Sequence, residues 1–128
     1  MSQENVEVVR RSFDAYRHGD LDAALSDAHP EITWDPYEEA PMQGLDAVRG
    51  QLARWESDWE ELETTPEEFI DAGDRVVVVA HYRGRGRGGG IDVDARSYLV
   101  YTLRAGKLIG MQEFIERREA MEAAGLEE

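Results

Sequence analysis

The chain of 128 residues contains no cysteine. Disulfide bonds, thiolate nucleophiles and cysteine-ligated metal sites are therefore excluded. Long apolar runs are also missing, because the longest one, Val76 to Ala80, is far too short to cross a bilayer. The sequence does not open with a charged segment followed by an apolar one. We therefore expect a cytoplasmic protein with no membrane as a partner.

Basic residues are scarce, because the chain has 14 of them against 28 acidic residues. The formal net charge is therefore -14. This charge repels phosphate backbones, so we do not expect nucleic acid as a partner. Most of the acidic residues are expected only to keep a small protein soluble. Hydrophobic residues make up 41% of the chain, which is enough for one core. We expect a single domain over residues 1–128.

The first half of the chain has mainly helical periodicity. Apolar residues recur at helical spacing over residues 3–18, and a second short helix is predicted over 21–28, ended by His29-Pro30. A third helix is predicted over 45–59 from a single apolar stripe. Between the last two, Ile32 and Trp34 alternate with polar residues and predict a short strand.

From residue 63 onwards the periodicity is that of strands. Strands are predicted at residues 63–71, 75–87, 91–104 and 107–115, and a closing helix at 116–124. Short glycine-containing connections between successive strands predict an antiparallel meander. Helices and strands are segregated along the chain, so the predicted class is α+β. A bent sheet around helices leaves a concavity of the kind that small molecules occupy.

Four segments carry a resemblance to a known family. They are VEVVRRSFDAYRHGDLDAALSDAHPEITWD, MQGLDAVRGQLARW, GDRVVVVAHYRGRGRGGGIDV and AGKLIGMQEFIERREAMEAAGL. In this order they resemble SnoaL-like polyketide cyclases of the NTF2-like, or ketosteroid isomerase-like, superfamily. The resemblance implies a cone in which a curved antiparallel sheet of about four to six strands wraps around three helices. It also implies a homodimer formed through the sheet.

Function follows less directly, because this superfamily includes cyclases, isomerases, hydroxylases, dehydratases and non-catalytic binding modules. Its cyclases and isomerases use a carboxylate in the pocket as a general base. Glu113 is the first candidate for that role, because it alternates with Ile109, Met111 and Ile115 on a mainly apolar strand face. An enclosed carboxylate suits proton abstraction near neutral pH. The alternative is that a bulge places Glu113 on the surface.

His81 and Tyr82 are the next candidates for catalysis. They are neighbours on one strand, so only one of them should face the pocket if the strand is regular. Histidine can act as acid or base at cellular pH, whereas a tyrosine hydroxyl can stabilise an enolate. The sequence leaves both open.

Aromatic side chains are numerous on the faces predicted to point inward. Such walls suit a flat apolar or aromatic ligand, although simple core packing is the alternative. Met111 shares the predicted face of Glu113, and Tyr37 lies in a loop that could cover the mouth of the pocket. The predicted ligand-binding residues are Tyr16, Trp34, Tyr37, Trp55, Tyr101 and Met111.

The sequence gives no sign of a cofactor or a metal. The stretch GRGRGGG lacks the Lys-Ser/Thr of a phosphate loop, and the three histidines have no ligand spacing. We therefore predict a cofactor-free acid-base enzyme of cyclase or isomerase type, acting on a hydrophobic ketone or a polyketide-like substrate. The alternative is a non-catalytic module of the same fold that binds a small hydrophobic ligand or a protein partner.

Overall fold

The computed structural model describes residues 2–37, 39–88 and 90–126. Within these ranges the chain forms four helices and six strands. In chain order they are α1 (Ser2–Arg17), α2 (Leu21–Ala24), β1 (Ala28–Asp35), β2 (Met42–Gln43), α3 (Leu45–Ser57), β3 (Trp59–Ala72), β4 (Arg75–Gly86), β5 (Asp92–Arg104), β6 (Lys107–Phe114) and α4 (Arg117–Ala123).

All six strands belong to one sheet with the order β2-β1-β6-β5-β4-β3. The pairs from β3 to β6 form the predicted antiparallel meander, and β2 is antiparallel to β1. However, β1 runs parallel to β6. The expectation of an antiparallel sheet around three helices is thus correct only in part, because the sheet is mixed and α4 is a fourth helix. A parallel neighbour distant in sequence leaves no local signal.

Bulges bend the sheet at defined places. In β3 the register with β4 shifts between Pro66 and Glu68, which leaves Glu67 as the extra residue. Proline is tolerated here because β3 is an edge strand and a bulge interrupts its ladder. In β6 a second shift leaves Ile109 as the extra residue. The sheet therefore curves around the helices and has a concave and a convex face.

The main core lies between the concave face and helices α1 and α3. Val9 and Phe13 of α1, Val48 of α3 and Ile32 of β1 are almost completely buried in it. Ser12 joins α1 to α2, because its hydroxyl donates a hydrogen bond of 2.6 Å to the carbonyl of Ala24. The amphipathic pattern that predicted α1 and α3 therefore reflects burial against the sheet.

A second, smaller core lies on the convex face. There Ala120 and Met121 of α4, with Ala124 just after it, cover Val77 of β4 and Val100 of β5. None of the helices in the described ranges is long and apolar enough to span a membrane.

Several predicted element boundaries are wrong, the first of them between α2 and β1. The second helix ends at Ala24 rather than Ala28, and β1 begins at Ala28 and includes His29 and Pro30. Ala28 is held in the sheet by pairing with Leu108. Pro30 fits because pairing with β6 is interrupted between Ala28 and Thr33, so its missing N–H breaks no ladder.

The third helix ends at Ser57, and Trp59 opens β3 instead of closing the helix. Trp59 pairs with Gly86 of β4, which lengthens the predicted strand by four residues at its start. The segment from Pro36 to Gln43, predicted as a loop, contains the two-residue strand β2. In each case a partner distant in sequence decides the local structure.

Candidate functional site

A cavity of about 90 Å³ lies between the helices and the concave face of the sheet. Its floor comes from β4, β5 and β6, and its walls come from α1, α2, α3, the end of β1 and the segment that follows β1. The described residues that line it are Ser12, Tyr16, Ala24, Leu25, Trp34, Pro36, Tyr37, Glu39, Gln51, Leu52, Trp55, Tyr82, Leu99, Tyr101, Leu108, Met111 and Glu113.

Glu113 lines this cavity from β6. Its Oε1 atom accepts a hydrogen bond of 2.9 Å from the backbone N–H of Tyr37, which lies just beyond the end of β1. Asp35 pairs with Gln112 where β1 runs parallel to β6, so the end of β1 lies beside the end of β6. This arrangement fixes one carboxylate oxygen and leaves Oε2 for another partner.

The bulge at Ile109 changes which residues of β6 face the cavity. Leu108 and Met111 both line it, although regular alternation would place them on opposite faces. Ile109 and Ile115, which were grouped with Glu113 in the sequence, lie elsewhere: Ile109 is on the outer side near Asp35, and Ile115 is 46% exposed. The grouping is therefore wrong for Ile109, because the extra residue reverses the alternation there, and for Ile115, because it lies beyond the end of β6.

His81 and Tyr82 lie on opposite faces of β4. Tyr82 lines the cavity and is buried, together with Val76, Val78 and Ala80. His81 points to the convex face, where its Nε2 atom lies 2.5 Å from Oδ1 of Asp94 on β5. The sequence left open which of the two residues faces the pocket. It is Tyr82, because strand alternation separates the two side chains.

Three tyrosine hydroxyls belong to the cavity wall. Burial raises the pKa of Tyr101, Tyr82 and Tyr16 above the ordinary value for tyrosine, and the negative charge of Glu113 adds to each rise. Tyr16 as a whole residue is only partly buried, but its hydroxyl is surrounded by protein, so burial is the main cause of its raised pKa. The three hydroxyls therefore stay protonated and can donate hydrogen bonds at neutral pH.

Aromatic rings meet at steep angles around the cavity. Trp34 and Tyr101 have ring centroids 6.1 Å apart and planes at 71°, and Trp55 and Tyr82 have centroids 5.9 Å apart and planes at 76°. Trp59 packs on Trp55 from outside the cavity lining, with centroids 5.2 Å apart. Such edge-to-face pairs stabilise the wall and hold rings in different orientations.

The indole N–H of Trp55 is a buried donor without an acceptor among the described residues. The hydroxyl of Tyr16 lies near enough to this indole for its pKa to be lowered slightly, against the larger effect of burial. The pair nevertheless lacks the geometry of a formed hydrogen bond. A buried N–H without a partner is costly, and this one has almost no surface open to the cavity.

The mouth of the cavity carries Tyr37, which is 50% exposed, and Glu39. The buried side chain of Gln51, on α3, donates a hydrogen bond of 3.1 Å from Nε2 to Oε2 of Glu39. Glu38 of the same predicted loop lies outside the described residues. A second carboxylate is thus held at the rim.

Gln51 and Ser12 line the cavity but were not among the predicted site residues. Gln51 lies three residues after Val48 and four before Trp55, on the apolar face of α3. A polar residue in an apolar stripe was the signal that could have identified it. Ser12 gave no comparable signal, because a serine that bonds a carbonyl of a neighbouring helix is common.

Three neighbouring acidic or aromatic side chains do not line the cavity. Asp35 is absent from its lining although the adjacent Trp34 is part of it. Phe13 is buried in the main core, and Phe114 packs in the convex core. Within the described ranges, no group of three or more His, Asp or Glu side chains is placed to hold a metal ion.

Comparison with known proteins gives this site a family context. The family model of the SnoaL-like domain matches residues 9–111. The chain belongs to the SnoaL-like family. No curated protein sequence matches the chain significantly.

Solved structures are similar in fold to this SnoaL-like chain. A putative SnoaL-like polyketide cyclase from a Jannaschia species is 25% identical, with a TM-score of 0.81 over 99% of this chain and 95% of that one. TerC, co-crystallised with polyporic acid, is 24% identical, with a TM-score of 0.78 over 95% and 98%. A ketosteroid isomerase-like protein from Catenulispora acidiphila, in complex with trimethylamine, is 20% identical, with a TM-score of 0.76 over 94% of each chain. The last two likenesses show the fold alone.

Proposed function

We propose that this protein is a cofactor-free acid-base enzyme that removes a proton next to the carbonyl group of a small ketone. The observation that carries the proposal is the sharing of one cavity by a carboxylate, Glu113, and three neutral tyrosine hydroxyls. General bases and oxyanion donors must lie within reach of the same substrate atoms for such chemistry. His81 has no part in the proposal, because it lies across the sheet.

The proton-transfer step uses the free oxygen of Glu113. Oε1 is occupied by the N–H of Tyr37, so Oε2 takes the proton as the C–H bond breaks. The electron pair moves to the carbonyl oxygen and forms an enolate. The hydroxyl of Tyr82 or Tyr101 donates a hydrogen bond to that oxygen. Return of the proton at another position gives an isomer, whereas attack of the enolate carbon on a second carbonyl gives a cyclised product.

The size of the cavity favours a small substrate. A volume of about 90 Å³ holds roughly six to nine waters and a ligand of a similar number of heavy atoms. A polyketide with several rings would require movement of the segment at the mouth. The sequence predicted either a hydrophobic ketone or a polyketide-like substrate, and the volume favours the small ketone.

The proposal is tested by proton-deuterium exchange at the α-carbon of small ketones in D₂O, followed by NMR. We expect exchange above background with the native chain, and a loss of at least about 100-fold in Glu113→Gln, because the base is removed. Glu119→Gln is the matched control, since Glu119 is exposed on α4 at the other face of the sheet. Melting temperature and circular dichroism of all three proteins establish that they fold alike.

If the native chain exchanges no faster than Glu113→Gln for any ketone, the acid-base proposal is wrong. The second candidate, a ligand-binding module, then becomes the working function. It is favoured by the single described hydrogen bond of Glu113, which comes from a backbone N–H rather than a catalytic partner. Two structural neighbours that were crystallised with polyporic acid and trimethylamine also support it. The homodimer through the sheet stays a prediction, to be checked by sedimentation.

A further inference from the structure

The charges that line the cavity all have one sign. Glu113 and Glu39 line it, and none of the other described lining residues is charged. The five positions outside the described ranges have no basic side chain in the sequence either. An anionic ligand would therefore meet two carboxylates and no compensating cation, which is unfavourable in a partly enclosed site.

The aromatic rings reinforce this preference. The faces of tryptophan and tyrosine rings carry negative partial charge and attract ammonium groups within about 6 Å of the ring centre. The two edge-to-face pairs, Trp34 with Tyr101 and Trp55 with Tyr82, hold their planes at 71° and 76°. These four rings line the cavity and together are called the aromatic cage. Because the wall tyrosines stay neutral, they add ring faces and not further charge.

The carboxylates lie at two depths. Glu113 is half-buried and is oriented by the N–H of Tyr37, whereas Glu39 is exposed at the mouth and held by Gln51. A cation that enters past Glu39 therefore meets a second negative charge inside. The net charge of -14 concentrates cations near the surface as a whole and assists entry.

We propose that the cavity binds a small organic cation, a quaternary ammonium or a protonated amine, with Glu113 and the aromatic cage as its main contacts and Glu39 at the entrance. A ligand of roughly six to nine heavy atoms fits the volume. This inference concerns the charge of the ligand and holds whether or not Glu113 transfers a proton.

The test compares three probes of nearly identical shape by isothermal titration calorimetry. Choline has a quaternary nitrogen and a hydroxyl, dimethylbutanol replaces the nitrogen with carbon and is neutral, and dimethylbutanoate is an anion. We expect choline to bind at least about tenfold more tightly than dimethylbutanol. Dimethylbutanoate should not bind.

Two substitutions locate the site. Glu113→Gln should weaken choline binding by about tenfold and leave dimethylbutanol unaffected, because only the charge is removed. Glu39→Gln should weaken it by a smaller factor, since Glu39 is solvent-exposed. Glu119→Gln on α4 is the control for the general negative charge of the protein and should leave binding unchanged.

The proposal is overturned if dimethylbutanol binds as tightly as choline, or if choline does not bind at millimolar concentrations. Equal weakening by Glu119→Gln and Glu113→Gln would also overturn it, because binding would then reflect net charge and not the cavity. Failure of the ketone-exchange assay leaves these outcomes untouched. The two proposals therefore stand or fall on separate measurements.

Discussion

The two faces of strand β4 differ although they come from one run of sequence. The residues on the concave face are Val76, Val78, Ala80 and Tyr82, and those on the convex face are Val77, Val79, His81 and Arg83. The first set continues from the core into the cavity wall. The second set begins under α4 and ends in an ion-paired surface. The layers that cover each face, rather than the strand itself, therefore determine what its side chains can do.

The carboxylates on the convex face also differ from the carboxylate in the cavity. On the convex face the hydrogen bond from His81 lowers the pKa of Asp94, and the hydrogen bonds from Arg96, at 2.6 and 3.0 Å, lower the pKa of Glu67. Both carboxylates are exposed to solvent and already paired with a basic side chain. Glu113 shares its cavity with rings and hydroxyls and with no described base. A carboxylate without a basic partner is the more suitable for a proton or a cationic ligand.

The largest expected difference between the two faces is in packing. Phe13→Ala should lower the free energy of unfolding by about 3–5 kcal/mol, because Phe13 is 1% exposed and packs in the main core against Tyr16 and Phe69. Phe114→Ala is the matched change in the convex core and should cost about half as much, since Phe114 is only half-buried. Urea unfolding measures both. Equal losses would mean that the convex core contributes as much to stability as the concave one.

A second difference should appear at alkaline pH. Tyr16, Tyr82 and Tyr101 have a raised pKa in the folded chain, so below about pH 10 they are protonated in both states and their contribution to stability is complete. Above that pH the unfolded chain releases these protons and the folded chain keeps them. Stability should therefore fall as the pH rises, and urea midpoints between neutral and alkaline pH measure the fall.

Tyr82→Phe provides the control for this alkaline loss. The variant removes one of the three hydroxyls, so its midpoint should fall less steeply with pH than that of the native chain. Tyrosinate absorbance should show three of the five tyrosines ionising only as the chain unfolds. Ionisation of all five in the folded state would contradict the burial of the cavity hydroxyls.

The smallest expected effect belongs to the convex surface. His81→Gln should leave both the melting temperature and the affinity for choline unchanged within error, because His81 contacts exposed Asp94 across the sheet from the cavity. Tyr82→Phe, one position away, should alter ligand affinity because it changes the cavity wall. A loss of binding in His81→Gln would show that the convex surface communicates with the cavity.

Much of this protein follows from periodicity in the sequence. Helical spacing predicted α1 and α3, and alternation predicted β4, β5 and β6, because burial of one face requires those spacings. The same alternation required His81 and Tyr82 to lie apart. The cavity wall includes every residue predicted to bind a ligand, and their binding role stays a prediction.

Tertiary structure decided the rest, because the deciding contacts join residues far apart in the chain. The bulge at Ile109 sets which β6 side chains face inward, and it exists only through pairing with β5. The parallel alignment of β1 with β6 brings the N–H of Tyr37 to Glu113, 76 residues away. The sequence by itself determined which residues favour burial. Only the packing of the sheet against the helices determined which of the buried residues line the cavity and which pack in a core without a cavity.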